Sequence, residues 1–185
     1  GARLSAKGHR VDAVIFDSSE KNLELIAREG GEGTRVLDPE HALEQLVGYD
    51  LTIDGILGTG SSGAVRGNAG EYLGVLRAAQ LDGKLSAVLA VDTPSGVDNN
   101  RGTVHEPSLR ADRTVTFIGH KLPAGTSHSV HSGDIKLYDL GVPEALDAHK
   151  PALRVLDRED YRELIEIPDE HSHKYTRGVL GMLTG

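Results

Sequence analysis

The sequence contains no cysteine, so neither a disulfide framework nor thiolate chemistry is available to it. It also lacks any apolar run approaching the roughly 20 residues that a membrane-spanning helix requires, and we expect no membrane partner. Basic residues are few: 20 lysines and arginines stand against 28 aspartates and glutamates, without a basic cluster. The formal charge of −8 argues against nucleic acid or an anionic membrane as partner. A cytoplasmic location is expected.

The order of apolar and amphipathic segments predicts an α/β fold. The 185 residues suit a domain of ordinary size with a real hydrophobic core. Strands alternate with helices across short loops, which is typical of a mostly parallel, doubly wound sheet. Strands are predicted at 11–16, 34–37, 51–57, 86–91, 113–118 and 134–140, and helices at 18–28, 39–47, 71–80 and 158–165.

The stretch SAVLAVDTPSGVD, residues 86–98, organises the chain. Its small branched residues predict a strand buried on both faces, and the proline and glycine that follow force a tight loop at the strand's carboxyl end. Open α/β sheets bind their ligands at that edge. The loop places Asp92, Thr93, Ser95 and Asp98 in a small volume rich in oxygen atoms. The alternative is that the aspartate and serine only cap a strand-to-helix turn.

A glycine-rich loop, GTGSSG at residues 58–63, follows a predicted strand and matches the dinucleotide fingerprint G-x-G-x-x-G. Glycines let backbone amides approach a phosphate closely, and a helix start attracts negative charge. Two features disfavour a conventional nicotinamide-dependent dehydrogenase. Residues 66–68 extend the loop before the predicted helix, and the next acidic strand end, Asp92, lies beyond the expected distance of roughly 20 residues. A flexible connector is the alternative interpretation.

Asp54 lies inside the predicted apolar strand LTIDGIL, where an unpaired carboxylate would cost several kcal/mol. In adjacent parallel strands, Asp54 and Asp92 would both lie near the carboxyl ends. Together with Ser95 they could meet around a cation, since hard cations take oxygen ligands. Alternatively, backbone amides of the glycine-rich loop satisfy Asp54. Lys121, just past the strand at 113–118, is interpreted equally well as a phosphate contact or a surface lysine.

Four stretches taken together are much more specific than any one of them. They are IDGILGTG, VDTPSGVD, ADRTVTFIGHK and GDIKLYDLGVP. Their combination resembles the NAD(P)H-hydrate epimerase family, the amino-terminal YjeF-type domain, over residues 2–143. The tail HKYTRGVLGMLTG resembles the start of a ribokinase-like, ADP- or ATP-dependent NAD(P)H-hydrate dehydratase domain. The resemblance implies an epimerase domain over residues 1–150, a linker over 151–172 and the start of a dehydratase domain over 173–185.

The resemblance also implies a function and a site. The expected fold is a Rossmann-like three-layer sandwich, and the expected reaction is epimerisation of the R and S forms of hydrated NADH and NADPH. A potassium ion would be bound by Asp54 and Ser95. Asp92 would contact the dinucleotide substrate, and we assign it as general acid and base. The remaining substrate contacts implied for the loop are Gly58, Thr59, Gly60, Ser61, Ser62, Gly63 and Ala64. Expected partners are the substrate, a dehydratase domain in cis that uses ADP or ATP, and further copies of the chain in a homo-oligomer.

One part of the family pattern is absent. The upstream strand with its Asn-Asn-Gly-Gly-Asp-Gly loop has no counterpart, so we expect the sequence to be a fragment lacking the extreme amino terminus of a bifunctional repair enzyme. Two alternatives stay open. The first is a non-catalytic binding module of the same fold. The second is a conventional NAD(P)-dependent oxidoreductase, favoured only by G-x-G-x-x-G.

Overall fold

A computed structural model describes residues 7–15, 32–35, 38–142, 149–154, 158–164 and 167–173, together with single positions elsewhere. The chain forms two compact units, Gly1–Leu153 and Arg154–Gly185. The predicted helix at 18–28 falls almost wholly outside the described residues. No described helix has the length and apolar character needed to cross a membrane.

The described elements of the first unit follow an α/β order. Its strands are β1 (Asp12–Ile15), β2 (Glu32–Arg35), β3 (Leu51–Asp54), β4 (Ala87–Val91), β5 (Val97–Asp98), β6 (Thr103–Val104), β7 (Arg113–Phe117) and β8 (Asp134–Tyr138). Its helices are α1 (Pro39–Leu46) and α2 (Gly67–Leu81), with 3₁₀ turns at Leu122–Gly125 and Ser127–His131. The second unit contains α3 (Arg158–Leu164).

Four parallel strands form the main sheet, in the order β3-β4-β7-β8. β1 and β2 form a separate parallel pair, and β5 and β6 form a short antiparallel hairpin directly after the β4 loop. The parallel order confirms the predicted α/β class. All four carboxyl ends lie along one edge of the sheet, so the loops that follow β3, β4 and β7 are neighbours there.

One face of the main sheet is buried and the other is partly exposed. Val88 and Ala90 are 1% and 0% exposed, whereas Ile53 and Val91 on the opposite face are 49% and 40% exposed. The prediction that the strand at 86–91 is buried on both faces is therefore wrong: its side chains alternate. The helix α2 packs into the core through its buried side, which carries the side chains of Tyr72, Leu73, Leu76 and Ala79.

The helix boundaries show which signals are local. α1 begins as predicted, because the Asp38 carboxylate accepts a hydrogen bond from the His41 amide at 3.2 Å and Pro39 occupies the first turn. α2 begins at Gly67 and not at residue 71, so the expected loop extension over residues 66–68 is wrong from Gly67 onward. Burial of Tyr72 and Leu73 in the first turns explains this, since tertiary packing overrides the low helix propensity of glycine.

Candidate functional site

The carboxylate at the end of β3 is bound by one residue of the loop after β4. Asp54 is 2% exposed, and its Oδ2 accepts a hydrogen bond from the Ser95 amide at 2.7 Å. Its Oδ1 accepts from the Ser95 hydroxyl at 2.7 Å and from the Ile56 amide at 3.3 Å. Ser95 Oγ itself accepts from the Leu57 amide at 3.1 Å. These bonds join the end of β3 and the entrance of the glycine-rich loop to the β4 loop.

The charge of Asp54 has no cationic partner among the described side chains. Burial raises the pKa of Asp54, and the hydrogen bonds from Ser95 and Ile56 oppose that rise. When ionised, the carboxylate lacks a counter-charge, and with the Ser95 hydroxyl it offers the oxygen donors that hard cations bind. Within the described part of the chain, no three His, Cys, Asp or Glu side chains converge. Asp54 and Ser95 thus fit a hard cation in charge and donor type, with further ligands from carbonyl, hydroxyl or water oxygens.

The carboxylate that follows β4 has a different set of partners. Asp92 Oδ1 accepts hydrogen bonds from the Thr116 hydroxyl at 3.1 Å and the Phe117 amide at 3.3 Å, and Lys121 Nζ lies 2.9 Å from it. The Lys121 ammonium also donates to the carbonyls of Phe117 at 2.9 Å and Gly119 at 3.3 Å. Protein acceptors therefore engage all three ammonium protons, and Lys121 is a partner of Asp92 in this arrangement.

A small cavity of about 10 Å³ adjoins this pair. Its volume matches roughly one water molecule. Asn99 faces it with a buried Nδ2 that finds no acceptor in the described chain, while its Oδ1 accepts from Thr93 Oγ1 at 3.1 Å. The backbone at Asp92 is left-handed, with φ 70°, a conformation that aspartate tolerates better than most residues. The arrangement places a carboxylate, a cation and a buried amide donor around one cavity of about the size of a water molecule.

The glycine-rich loop presents unused backbone donors. Residues 58–60 are exposed, and the Ser61 amide closes a tight turn by donating to the Gly58 carbonyl at 3.1 Å. In the part of the chain that the structure describes, the amides of Thr59, Gly60 and Ser62 donate to no protein acceptor. Exposed, unpaired amides on such a turn are suited to binding an anion.

A third carboxylate closes the far end of the same loop. Asp98 in β5 is 1% exposed, and its Oδ2 accepts a hydrogen bond from the Gly63 amide at 3.2 Å. Its Oδ1 accepts from the amides of Asn100 at 3.0 Å and Arg101 at 3.1 Å. The bond from Gly63 is the main reason that the pKa of Asp98 lies below its usual range.

The oxygen-rich residues of the β4 loop thus separate into three groups. Ser95 contacts Asp54, Thr116 and Lys121 contact Asp92, and the Gly63 amide contacts Asp98. No contact joins Asp54 to Asp92 among the described residues. The loop that follows β4 packs closely against Pro107 at Gly96. Gly96 has φ 96°, and a Cβ there would lie 2.7 Å from the Pro107 carbonyl oxygen, so a side chain would not fit.

Sequence reasoning missed the Asp92–Lys121 pair and the bond from Gly63 to Asp98. The only available signals were a lysine soon after the strand that neighbours β4 and a second aspartate six residues after Asp92. Neither signal specifies a partner, because both contacts join residues far apart in the chain.

Comparison with known families decides the relationship. The model of the family described as "YjeF-related protein N-terminus" matches residues 1–122. The chain belongs to this family. Of the YjeF-related proteins that it resembles, the Bifunctional NAD(P)H-hydrate repair enzyme Nnr of Mycobacterium leprae is 31% identical over 186 residues, which cover 98% of this chain and 35% of that protein. The NAD(P)H-hydrate epimerase of Microbacterium testaceum is 35% identical over 156 residues, which cover 82% of this chain and 59% of that protein.

The YjeF-related match agrees with the resemblance noted in the four sequence stretches. The chain spans 35% of the length of the Nnr proteins of Mycobacterium leprae and Mycobacterium tuberculosis. Family membership therefore applies to this chain, while the activities named for those longer proteins are theirs.

Proposed function

We propose that this chain supplies the epimerase part of an NAD(P)H-hydrate repair enzyme, which interconverts the R and S forms of hydrated NADH and NADPH. The observation that supports this most directly is that the Asp92–Lys121–Thr116 group and the open amides of the glycine-rich loop lie at the same edge of the main sheet. The names of the similar proteins agree with this reaction. The substrate would be a dinucleotide, with its pyrophosphate on the loop and its hydrated ring near Asp92.

The proposed chemistry needs a proton moved on and off oxygen. The hydrated ring carries a hydroxyl at the carbon beside the ring nitrogen, and inversion at that carbon requires loss of the hydroxyl or opening of the ring. Asp92 would accept and return this proton as general base and acid. The Lys121 ammonium, 2.9 Å from Asp92 Oδ1, holds the carboxylate in place, and the Thr116 hydroxyl fixes its orientation.

A potassium ion would be held by Asp54 and Ser95, and when bound it would supply a positive charge near the loop that carries the phosphates. The donor type and the unpaired charge of Asp54 support this part of the proposal. These two residues also fix the entrance of the glycine-rich loop through the Ile56 and Leu57 amides.

We further propose the domain plan implied by the resemblance. Residues 1–150 would belong to the epimerase domain, residues 151–172 to a linker, and residues 173–185 to the start of a dehydratase domain in cis that uses ADP or ATP and acts as a lyase. A homo-oligomeric, cytoplasmic enzyme remains the prediction for the whole protein.

The test is exchange between the two hydrate epimers, followed by chromatography or NMR, in the full-length protein. Asp92→Asn removes the proton acceptor and is expected to slow exchange by about 100-fold or more. Asp82→Asn is the matched control, because the Asp82 side chain pairs with Lys84 at the exposed end of α2, away from the site, and it should leave the rate unchanged.

The outcomes separate the alternatives. An unchanged rate in Asp92→Asn contradicts the catalytic assignment. Binding of the hydrate without any exchange identifies a non-catalytic binding module. Tight binding of intact NAD(P)H with hydride transfer to a second substrate identifies an oxidoreductase.

A further inference from the structure

The glycine-rich loop is fixed at both ends by the short segment that follows β4. At its entrance, the Leu57 amide donates to Ser95 Oγ at 3.1 Å. At its far end, the Gly63 amide donates to Asp98 Oδ2 at 3.2 Å. The amides of Thr59, Gly60 and Ser62, which have no protein acceptor in the described chain, lie between these two anchors. Release of either anchor would free the part of the loop that carries these amides.

The far anchor requires a carboxylate. Three backbone donors converge on the two oxygens of Asp98: Gly63 on Oδ2, and Asn100 and Arg101 on Oδ1. An asparagine has only one acceptor oxygen, so it would present an NH₂ group either to Gly63 or to the other two amides. A carboxylate is the side chain of this size that satisfies all three.

A buried carboxylate beside a phosphate site would repel the ligand unless its charge were offset. Two cationic or ionisable side chains approach the oxygen that holds Gly63: Arg101 Nη1 lies 3.8 Å from Asp98 Oδ2, and His105 Nε2 lies 3.9 Å from it. Three hydrogen bonds from backbone amides stabilise the same charge. The local surroundings thus keep the anchor ionised while reducing its repulsion of a bound anion.

We propose that Asp98 is a positioning residue that holds the glycine-rich loop in the conformation that binds the pyrophosphate of the dinucleotide. The identity of the ligand rests on the function proposed above, whereas the role of Asp98 in holding the loop does not. Asp98 is 1% exposed and both of its oxygens accept from protein amides, so it acts through the loop and not by direct contact with the substrate. It acts by keeping the amides of Thr59, Gly60 and Ser62 directed away from the protein.

The anchor is tested first without any substrate and without any substitution. In an NMR titration of the chain, the Gly63 amide proton should shift with the same midpoint as the Asp98 carboxyl carbon, because the two groups are joined by a hydrogen bond. A Gly63 amide that does not follow the titration of Asp98 overturns the proposal.

The second test is Asp98→Asn, with Asp112→Asn as matched control. Asp112 also accepts a backbone hydrogen bond, from the Val88 amide at 2.7 Å, but it precedes β7 at the opposite edge of the sheet. Asp98→Asn should increase hydrogen exchange at the two hydrogen-bonded amides of the loop, those of Ser61 and Gly63, and Asp112→Asn should not. Equal exchange of the loop in both variants would contradict the anchor.

The kinetic readout separates positioning from catalysis. In the full-length protein, Asp98→Asn is expected to raise KM for the hydrated dinucleotide about tenfold, with kcat within about twofold of the wild-type value. A large fall in kcat with unchanged KM would overturn the positioning role. If the wild-type protein shows no epimer exchange, the proposed function fails, while the titration and the exchange measurements still decide whether Asp98 holds the loop.

Discussion

At the scale of single residues, three aspartates near one sheet edge differ because of their neighbours. Asp54 is buried with hydrogen-bond donors and no cation among the described side chains. Asp92 is partly exposed and lies 2.9 Å from an ammonium group. Asp98 is buried but accepts hydrogen bonds from three backbone amides. The first environment suits the binding of a cation, the second suits proton transfer, and the third suits the fixing of a loop.

Asp54 makes stability depend on pH. Because burial raises its pKa in the folded state, its contribution to stability is fully present below the unfolded-state pKa and is lost as pH rises through the higher folded-state pKa. Asp54→Asn should remove this loss, so the variant's free energy of unfolding should fall less as the pH rises above about 4. Urea denaturation in potassium-free buffer measures both curves. Asp82→Asn should follow the wild-type curve, and a wild-type slope in Asp54→Asn would refute the assignment.

At the scale of elements, the sequence predicted what short segments decide by themselves. The start of α1 follows from Asp38 and Pro39, which act within one turn. The parallel strand order follows from the alternation of strands and helices. The start of α2 and the β5–β6 hairpin were missed, because burial of Tyr72 decides the former, and strands of two residues carry no periodic pattern.

The turn after β7 contains backbone strain that sequence patterns do not reveal. Ile118 has φ 68°, a left-handed conformation that costs a β-branched residue about 1–3 kcal/mol. The same turn directs the Phe117 and Gly119 carbonyls to Lys121. Strain is thus located where the partner of Asp92 is held.

Ile118→Gly should relieve this strain. The side chain is 38% exposed, so loss of its buried area offsets part of the relief, and we expect the stability of the variant to lie within about 1 kcal/mol of the wild type. Val91→Gly is the matched control: Val91 is 40% exposed but lies in a regular strand, so glycine should destabilise it by about 1 kcal/mol. Urea denaturation compares the two. Equal destabilisation of both variants would show that Ile118 is not strained.

At the scale of the whole molecule, the family and the fold class could be predicted, because distinctive motifs lie on consecutive strand ends of a parallel sheet. The partner that each site residue takes could not be predicted. Asp92, Ser95 and Asp98 are close in the sequence, yet their partners come from β3, from β7 and from the glycine-rich loop. Which partner each residue takes depends on how the loops pack, and spacing in the sequence carries no record of it.

A bound cation should stabilise the whole folded chain, since an ion that binds only the folded state shifts the unfolding equilibrium. Potassium chloride should raise the free energy of unfolding relative to N-methylglucamine chloride of equal ionic strength, by about 2.7 kcal/mol at about 100 times the dissociation constant. Asp54→Asn should abolish the difference, because the unpaired buried charge is what favours the cation. Asp112→Asn should retain it. A potassium response of equal size in the wild type and in Asp54→Asn would show that the ion binds elsewhere. The absence of a response in the wild type would contradict the proposed potassium site.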